Sequence, residues 1–211
     1  MTDDISKLIG AVKREVRQVE REGKPAAMVV MCRSFDTTIE DLWDALTNRE
    51  RLPRWFLPVS GELKLGGRYQ LEGNAGGTIT RCEPPRELSV TWEFGGGTSW
   101  VYVSLREDGA TTRLELQHIA HPDPHWDKFG PGAVGVGWDL GLMGLGRHIE
   151  NPAATKPPEA DPAWLGSDEA KRFMKLSSDD WARAAIAHGE DEAAARARAE
   201  RTRAFYCGEG G

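Results

Sequence analysis

The sequence predicts an α+β fold in which an antiparallel sheet, apolar on one face, is covered by a long glycine-rich helix. Two observations carry this. Residues 59–121 alternate apolar and polar, with turn residues at short intervals, as a meander of half-buried strands does. Residues 134–149, VGVGWDLGLMGLGRHI, repeat instead at helical spacing, with Trp138, Leu142, Leu145 and Ile149 on one apolar stripe. Gly137, Gly141 and Gly144 lie beside that stripe, and Gly135 and Gly146 on the opposite flank. Each glycine costs a helix about 0.8–1 kcal/mol relative to alanine, so together they forfeit about 4–5 kcal/mol. Close backbone packing must recover that cost, or the helix needs room beside it. Val136, Leu140 and Met143 form a third face, so the helix should be covered on more than one side.

Taken in order, residues 3–22 read as an amphipathic helix within an N-terminal segment, 1–25. Ile5, Leu8, Ile9, Val12, Val16 and Val19 share its stripe, Thr2 or Asp3 caps it, and Gly23-Lys24-Pro25 ends it. That stripe must meet its own domain or a second copy of the chain, so a homodimer is one expectation. AMVVMCRSF (27–35) reads as a strand, and Asp36-Thr37-Thr38 offers cap chemistry for a helix running to Asn48. RLPRWFLP (51–58) reads as a short helical turn. The meander places strands at 61–65, 68–73, 78–83, 88–94, 99–107 and 112–120, ending the main domain at 150 after the glycine-rich helix. A proline-rich connector, 151–162, leads to an extension, 163–211. There the helices are expected at Ser167–Leu176, at Ser178–His188 capped by Ser177, and at Asp191–Phe205, forming a lid or brace over Val136, Leu140 and Met143. The GEGG tail should be disordered.

Composition narrows the function. The 211 residues are 39% hydrophobic and 28% charged, with eight tryptophans, enough for one ordinary domain with additions. A net charge of −6 argues against a nucleic-acid backbone as partner. No run is long enough for a membrane span, and MTDDISKLIG lacks the features of a signal peptide. Three widely spaced cysteines suggest neither a disulfide framework nor a metal site, so a cytoplasmic location is expected.

The motifs go further. RSFDTTIEDLWDALTNRERLPRWF (33–56) resembles the opening signature of the START-like (SRPBCC) superfamily, in the branch similar to the C-terminal domain of the activator of Hsp90 ATPase. Its matching positions are Arg33, Leu42, Trp43, Leu46, Thr47, Trp55 and Phe56. The resemblance continues through Gly77-Thr78-Ile79, Glu83-Pro84-Pro85-Arg86, Leu88, Thr91-Trp92, Val101–Leu105 and Thr112–His118 to Gly137-Trp138 with Leu142 and Leu145. It covers about 27–150. It implies a helix-grip fold, with an antiparallel sheet wrapped around the long helix and the N-terminal helix and C-terminal extension added to it. It also implies a deep apolar cavity between sheet and helix. Superfamily members include lipid carriers, polyketide cyclases, receptors and co-chaperone domains, so the resemblance does not fix one function.

His118 shares a face with Leu114 and Leu116, and an imidazole there could orient a ligand carbonyl or hydroxyl. Arg33 could hold a ligand carboxylate or pair with a carboxylate of its own fold. The residues expected to line a ligand cavity are Arg33, Trp55, Trp92, Val101, Val103, His118, Trp138, Gly141, Leu142 and Leu145. HIAHPDPHWD (118–127) has the residue types of a metal site. Period two, however, separates His118 from His121, and two prolines interrupt the segment, so no metal and no cofactor are expected. Gly130–Gly135 spells GxGxxG without a βαβ unit around it and reads as a flexible loop. Arg196, Arg198, Arg201 and Arg203 read as a solvated helix face. The first functional expectation is binding of a hydrophobic small molecule of lipid, polyketide or aromatic type. The alternatives are a cyclase- or dehydratase-like enzyme using His118 or Arg33, or a protein-interaction module. No catalytic residue is assigned.

Overall fold

The structure is a computed structural model that describes residues 2–154 and 162–209. Helix α1 spans Thr2–Gly10, and strands β1 (Lys13–Arg21) and β2 (Lys24–Phe35) come after it. Helix α2 (Ile39–Thr47) and a 3-10 turn at Leu52–Arg54 lead into the meander. Its strands are β3 (Val59–Gly61), β4 (Arg68–Leu71), β5 (Gly76–Glu83), β6 (Glu87–Phe94), β7 (Gly97–Asp108) and β8 (Thr111–Ala120). Then come α3 (Pro124–Phe129), the long α4 (Gly132–Glu150), α5 (Pro162–Leu165), α6 (Asp168–Ala187) and α7 (Glu192–Tyr206). The eight strands form one sheet in the order β1-β2-β8-β7-β6-β5-β4-β3, and the fold is the α+β helix-grip fold. Most of the proline-rich connector (155–161) and Gly210–Gly211 of the tail lie outside the described residues, as do the side chains of Thr2 and Asp3.

Two compact units divide the chain. One gathers Met1–Met31, His121–Met143 and Pro158–Gly211, and the other Cys32–Ala120 and Gly144–Pro157.

In the first unit the N-terminal segment departs from the helix expected over 3–22. Only Thr2–Gly10 is helical, and Lys13–Arg21 is a strand. Val12, Val16 and Val19 suit helical spacing, but a two-residue hairpin turn closes the segment. Glu22 and Gly23 both take positive φ, 54° and 72°, the geometry that matches strand twist. The turn commits β1 to pair with β2. Ile5, Leu8 and Ile9 are buried, and α1 lies against α6.

The extension also differs from expectation. Helix α6 runs unbroken from Asp168 to Ala187, capped by Ser167, so Ser177 starts no second helix. Ser177 is buried mid-helix, and its hydroxyl donates to Asp139 Oδ2 at 2.5 Å. Trp181, one turn on, donates its indole N–H to the same oxygen at 3.0 Å. These bonds place Gly135 and Asp139 of α4 against α6. A Cβ on Gly135 would overlap the Trp181 ring, so glycine here is required by close packing. On α7, Thr202 donates to the Phe129 carbonyl at 3.1 Å. Arg198 and Arg201 donate to the carbonyls of Asp127 and Lys128, so half of the expected solvated arginine face anchors α7 to α3.

In the second unit α2 begins where its cap chemistry predicts. Thr38 Oγ1 accepts the Asp41 N–H, with Glu40 and Asp41 in the first turn. The strands lie near their expected positions, except that β3 occupies 59–61 in place of 61–65.

Candidate functional site

Cross-strand register defines one face of the meander. Directly opposed residues share a face, so Ile79, Val90, Val101 and His118 form one row across β5–β8. Leu88, Val103 and Leu116 form the next row, and Trp92 opposes Ser99. Toward β8 this face is closed, with Val101, Leu105, Leu114 and Leu116 all buried. Toward β4 it opens. Tyr69, Leu71 and Ile79 are buried there, while Phe56, Leu57, Leu88, Val90 and Trp92 around them keep part of their apolar surface accessible.

One polar pair stands in this apolar surround. His118 is 5% exposed, and its Nε2 lies 2.8 Å from Ser99 Oγ. The Ser99 hydroxyl donates to the Trp92 carbonyl at 3.1 Å. A hydroxyl has one proton to give, so both bonds are satisfied together only when His118 Nε2–H donates to Ser99 Oγ. Burial pushes the His118 pKa down from 6.5 to about 4, so the ring is neutral at pH 7. The Trp92 ring sits beside it, with centroids 6.1 Å apart.

The other expected lining residues have definite places. Arg33 is buried with its guanidinium carbon 4.7 Å from the Phe35 ring centroid. A Cβ on Gly146 would overlap the Arg33 guanidinium, so that glycine makes room for it. Trp55 is buried, stacks on Phe56 at 5.4 Å and gives its indole N–H to the Ala45 carbonyl at 3.0 Å. Leu145 is buried and Val103 half-buried. These residues belong to the second unit, as do Trp92, Val101 and His118; Trp138, Gly141 and Leu142 belong to the first. Trp138 is half-buried there, and Gly141 and Leu142 are buried.

The histidines of 118–125 go separate ways. His121 Nδ1 bonds the Pro25 carbonyl at 2.9 Å, and His125 packs on the Phe129 ring at 4.6 Å. Among the described residues, no group of three or more His, Cys, Asp or Glu could hold a metal ion.

Sequence reasoning missed two features. Ser99 continues the Val101/Val103/Leu105 alternation by one step, and that parity was the available signal. The second is a charged joint. Arg51 Nε donates to His148 Nε2 at 3.2 Å, and its Nη1 reaches Asp41 at 2.8 Å and Asp44 at 2.9 Å. It ties α2 to the last turn of α4. Burial, then Arg51 and Arg54, push the His148 pKa down.

The family model described as Activator of Hsp90 ATPase homolog 1-like protein matches residues 36–150, more than half of the chain. The chain belongs to that family. Within this Hsp90-activator-like family, the chain is similar to CalU16 from Micromonospora echinospora. The crystal structure of CalU16 is 30% identical over 83% of this chain and 97% of that one, with a TM-score of 0.65. Its solution structure gives 29% identity, 86% and 97% coverage and a TM-score of 0.69. That likeness takes in more of the chain than the family model does. DynU16, a protein in the dynemicin biosynthetic locus, shares the fold at 20% identity, over 62% of this chain and 49% of that one, with a TM-score of 0.55. Nothing among curated proteins matches. Among the described residues, no helix is long and apolar enough to cross a membrane.

Proposed function

We propose that this protein binds a hydrophobic small molecule, of lipid, polyketide or aromatic type, on the apolar face of β4–β8. The observation that carries this is the opening of that face toward β4. There Phe56, Leu57, Leu88, Val90 and Trp92 stay partly accessible around a buried cluster. A surface of this kind with one fixed polar pair has the composition of a small-molecule site. The ligand's apolar body would cover the accessible residues, and a ligand hydroxyl would donate to Ser99 Oγ, whose own proton is held by the Trp92 carbonyl.

Binding fits this pair better than acid–base catalysis does. A ring that titrates near pH 4 is a weak base at neutral pH, and the Ser99 proton is already held by a backbone carbonyl. The cysteines Cys32, Cys82 and Cys207 are free thiols, which suits the reducing cytoplasm. The test is a thermal-shift screen of long-chain fatty acids, aromatic polyketides and aromatic acids. A hit must also lose its shift in Trp92→Ala. Failure of every class, or shifts insensitive to Trp92→Ala, would overturn the proposal.

A further inference from the structure

A groove in the first unit, separate from the meander face, has the makings of a second site. Its volume is about 290 Å³, and it lies among β1, α3, the start of α4 and the α6–α7 turn. Val16 and Ala185 contribute apolar lining and Trp126 an aromatic ring, while His188, Glu190 and Arg198 supply the charge and polarity.

The polar groups of this groove are not all committed to protein partners. Arg198 gives Nε to the Asp127 carbonyl at 3.1 Å and Nη1 to Glu190 Oε1. Among the described residues, Arg198 Nη2 has no acceptor and Glu190 Oε2 no donor. The Trp126 indole N–H and the His188 ring also bond to no described residue. Next to the groove, a void of about 10 Å³ shares Ala185, Glu190 and Arg198 with it. Ser178 lines that void, and it is 1% exposed with a hydroxyl that has no hydrogen-bond partner.

A guanidinium and a carboxylate side by side are complemented by a molecule carrying the opposite pair. We infer that the groove binds a small zwitterion with an apolar side chain, of which an aromatic α-amino acid is the type. The carboxylate would meet Arg198 Nη2, the ammonium Glu190 Oε2, and the ring Trp126. The volume suits this class, because pockets for larger, drug-sized ligands run from about 300 to 1,000 Å³.

The test is a titration of the ¹⁵N-labelled full chain with L-phenylalanine, beside 2-phenylethylamine and 3-phenylpropanoate, each lacking one charge. The Trp126 indole signal, assigned through Trp126→Phe, should shift saturably with a Kd of about 1 mM or tighter. Each single-charge analogue should bind at least about tenfold more weakly, a difference of about 1.4 kcal/mol. Glu190→Gln, at a partly exposed position, should keep the fold and lose the preference for the zwitterion over the acid. An unsaturable or absent shift, or equal affinity for the three compounds, would overturn the inference.

Discussion

Arg14 and Asp139 meet across 125 residues of chain in a buried, two-point ion pair. Arg14 Nε lies 3.0 Å from Oδ2 and Nη2 2.9 Å from Oδ1, and Nη1 reaches Asp180 at 2.8 Å. Burial pushes the Asp139 carboxyl up; Arg14, Ser177 and Trp181 act against it. One carboxylate thus joins β1, α4 and α6, which makes the C-terminal extension part of this unit's core. Removing one partner leaves the other charge buried and uncompensated, so Arg14→Leu should cost about 3–5 kcal/mol in urea unfolding. Arg14→Leu with Asp139→Leu should recover part of that loss. A single variant within about 1 kcal/mol of the parent would show that the pair does not hold the unit together.

The glycines of α4 should not respond alike. Gly135→Ala drives a methyl into the Trp181 ring and should destabilise by about 1–3 kcal/mol. Gly137 has only the Tyr206 hydroxyl near its missing Cβ, at 3.3 Å, so a methyl there asks for a shift of only a few tenths of an ångström. Gly137→Ala should be near neutral or gain up to about 1 kcal/mol of helix propensity. Thermal unfolding of the two variants side by side checks the order, and the reverse order would contradict it.

The buried His118 makes stability depend on pH. Its folded-state pKa of about 4 is below the ordinary 6.5, so between these values the unfolded chain takes up a proton that the folded chain refuses. Its contribution is full above pH 6.5, falls as the pH drops and levels off below about 4. From pH 7.5 to 4.5 the parent should lose about 2–3 kcal/mol more than His118→Gln does. His148 is shifted in the same direction but is present in both proteins and cancels. Parallel pH profiles would show that His118 is not held neutral by burial.

The meander and α2 were legible because their signals are local. Period-two alternation, turn glycines and the Thr38 cap each act within a few residues of where they are written. The N-terminal segment was not, because Val12, Val16 and Val19 recur at helical spacing and the Glu22-Gly23 turn overrides that local signal. Ser177 has the chemistry of a helix cap, yet here it is spent on Asp139, 38 residues away, a partner no local pattern reveals. At the candidate site, the face of His118 followed from strand parity. Its bond to Ser99, and the use of the Trp55 indole by the Ala45 carbonyl, depend on where separate elements come to rest.

The most direct test of the proposed function is native mass spectrometry of the full chain with a ligand class taken from the thermal-shift screen. The parent should carry one ligand per chain. Trp92→Ala should carry little, with an amide spectrum that still shows the folded sheet. A parent that stays unliganded with every class, or a variant that binds as well as the parent, would contradict a hydrophobic ligand on this face.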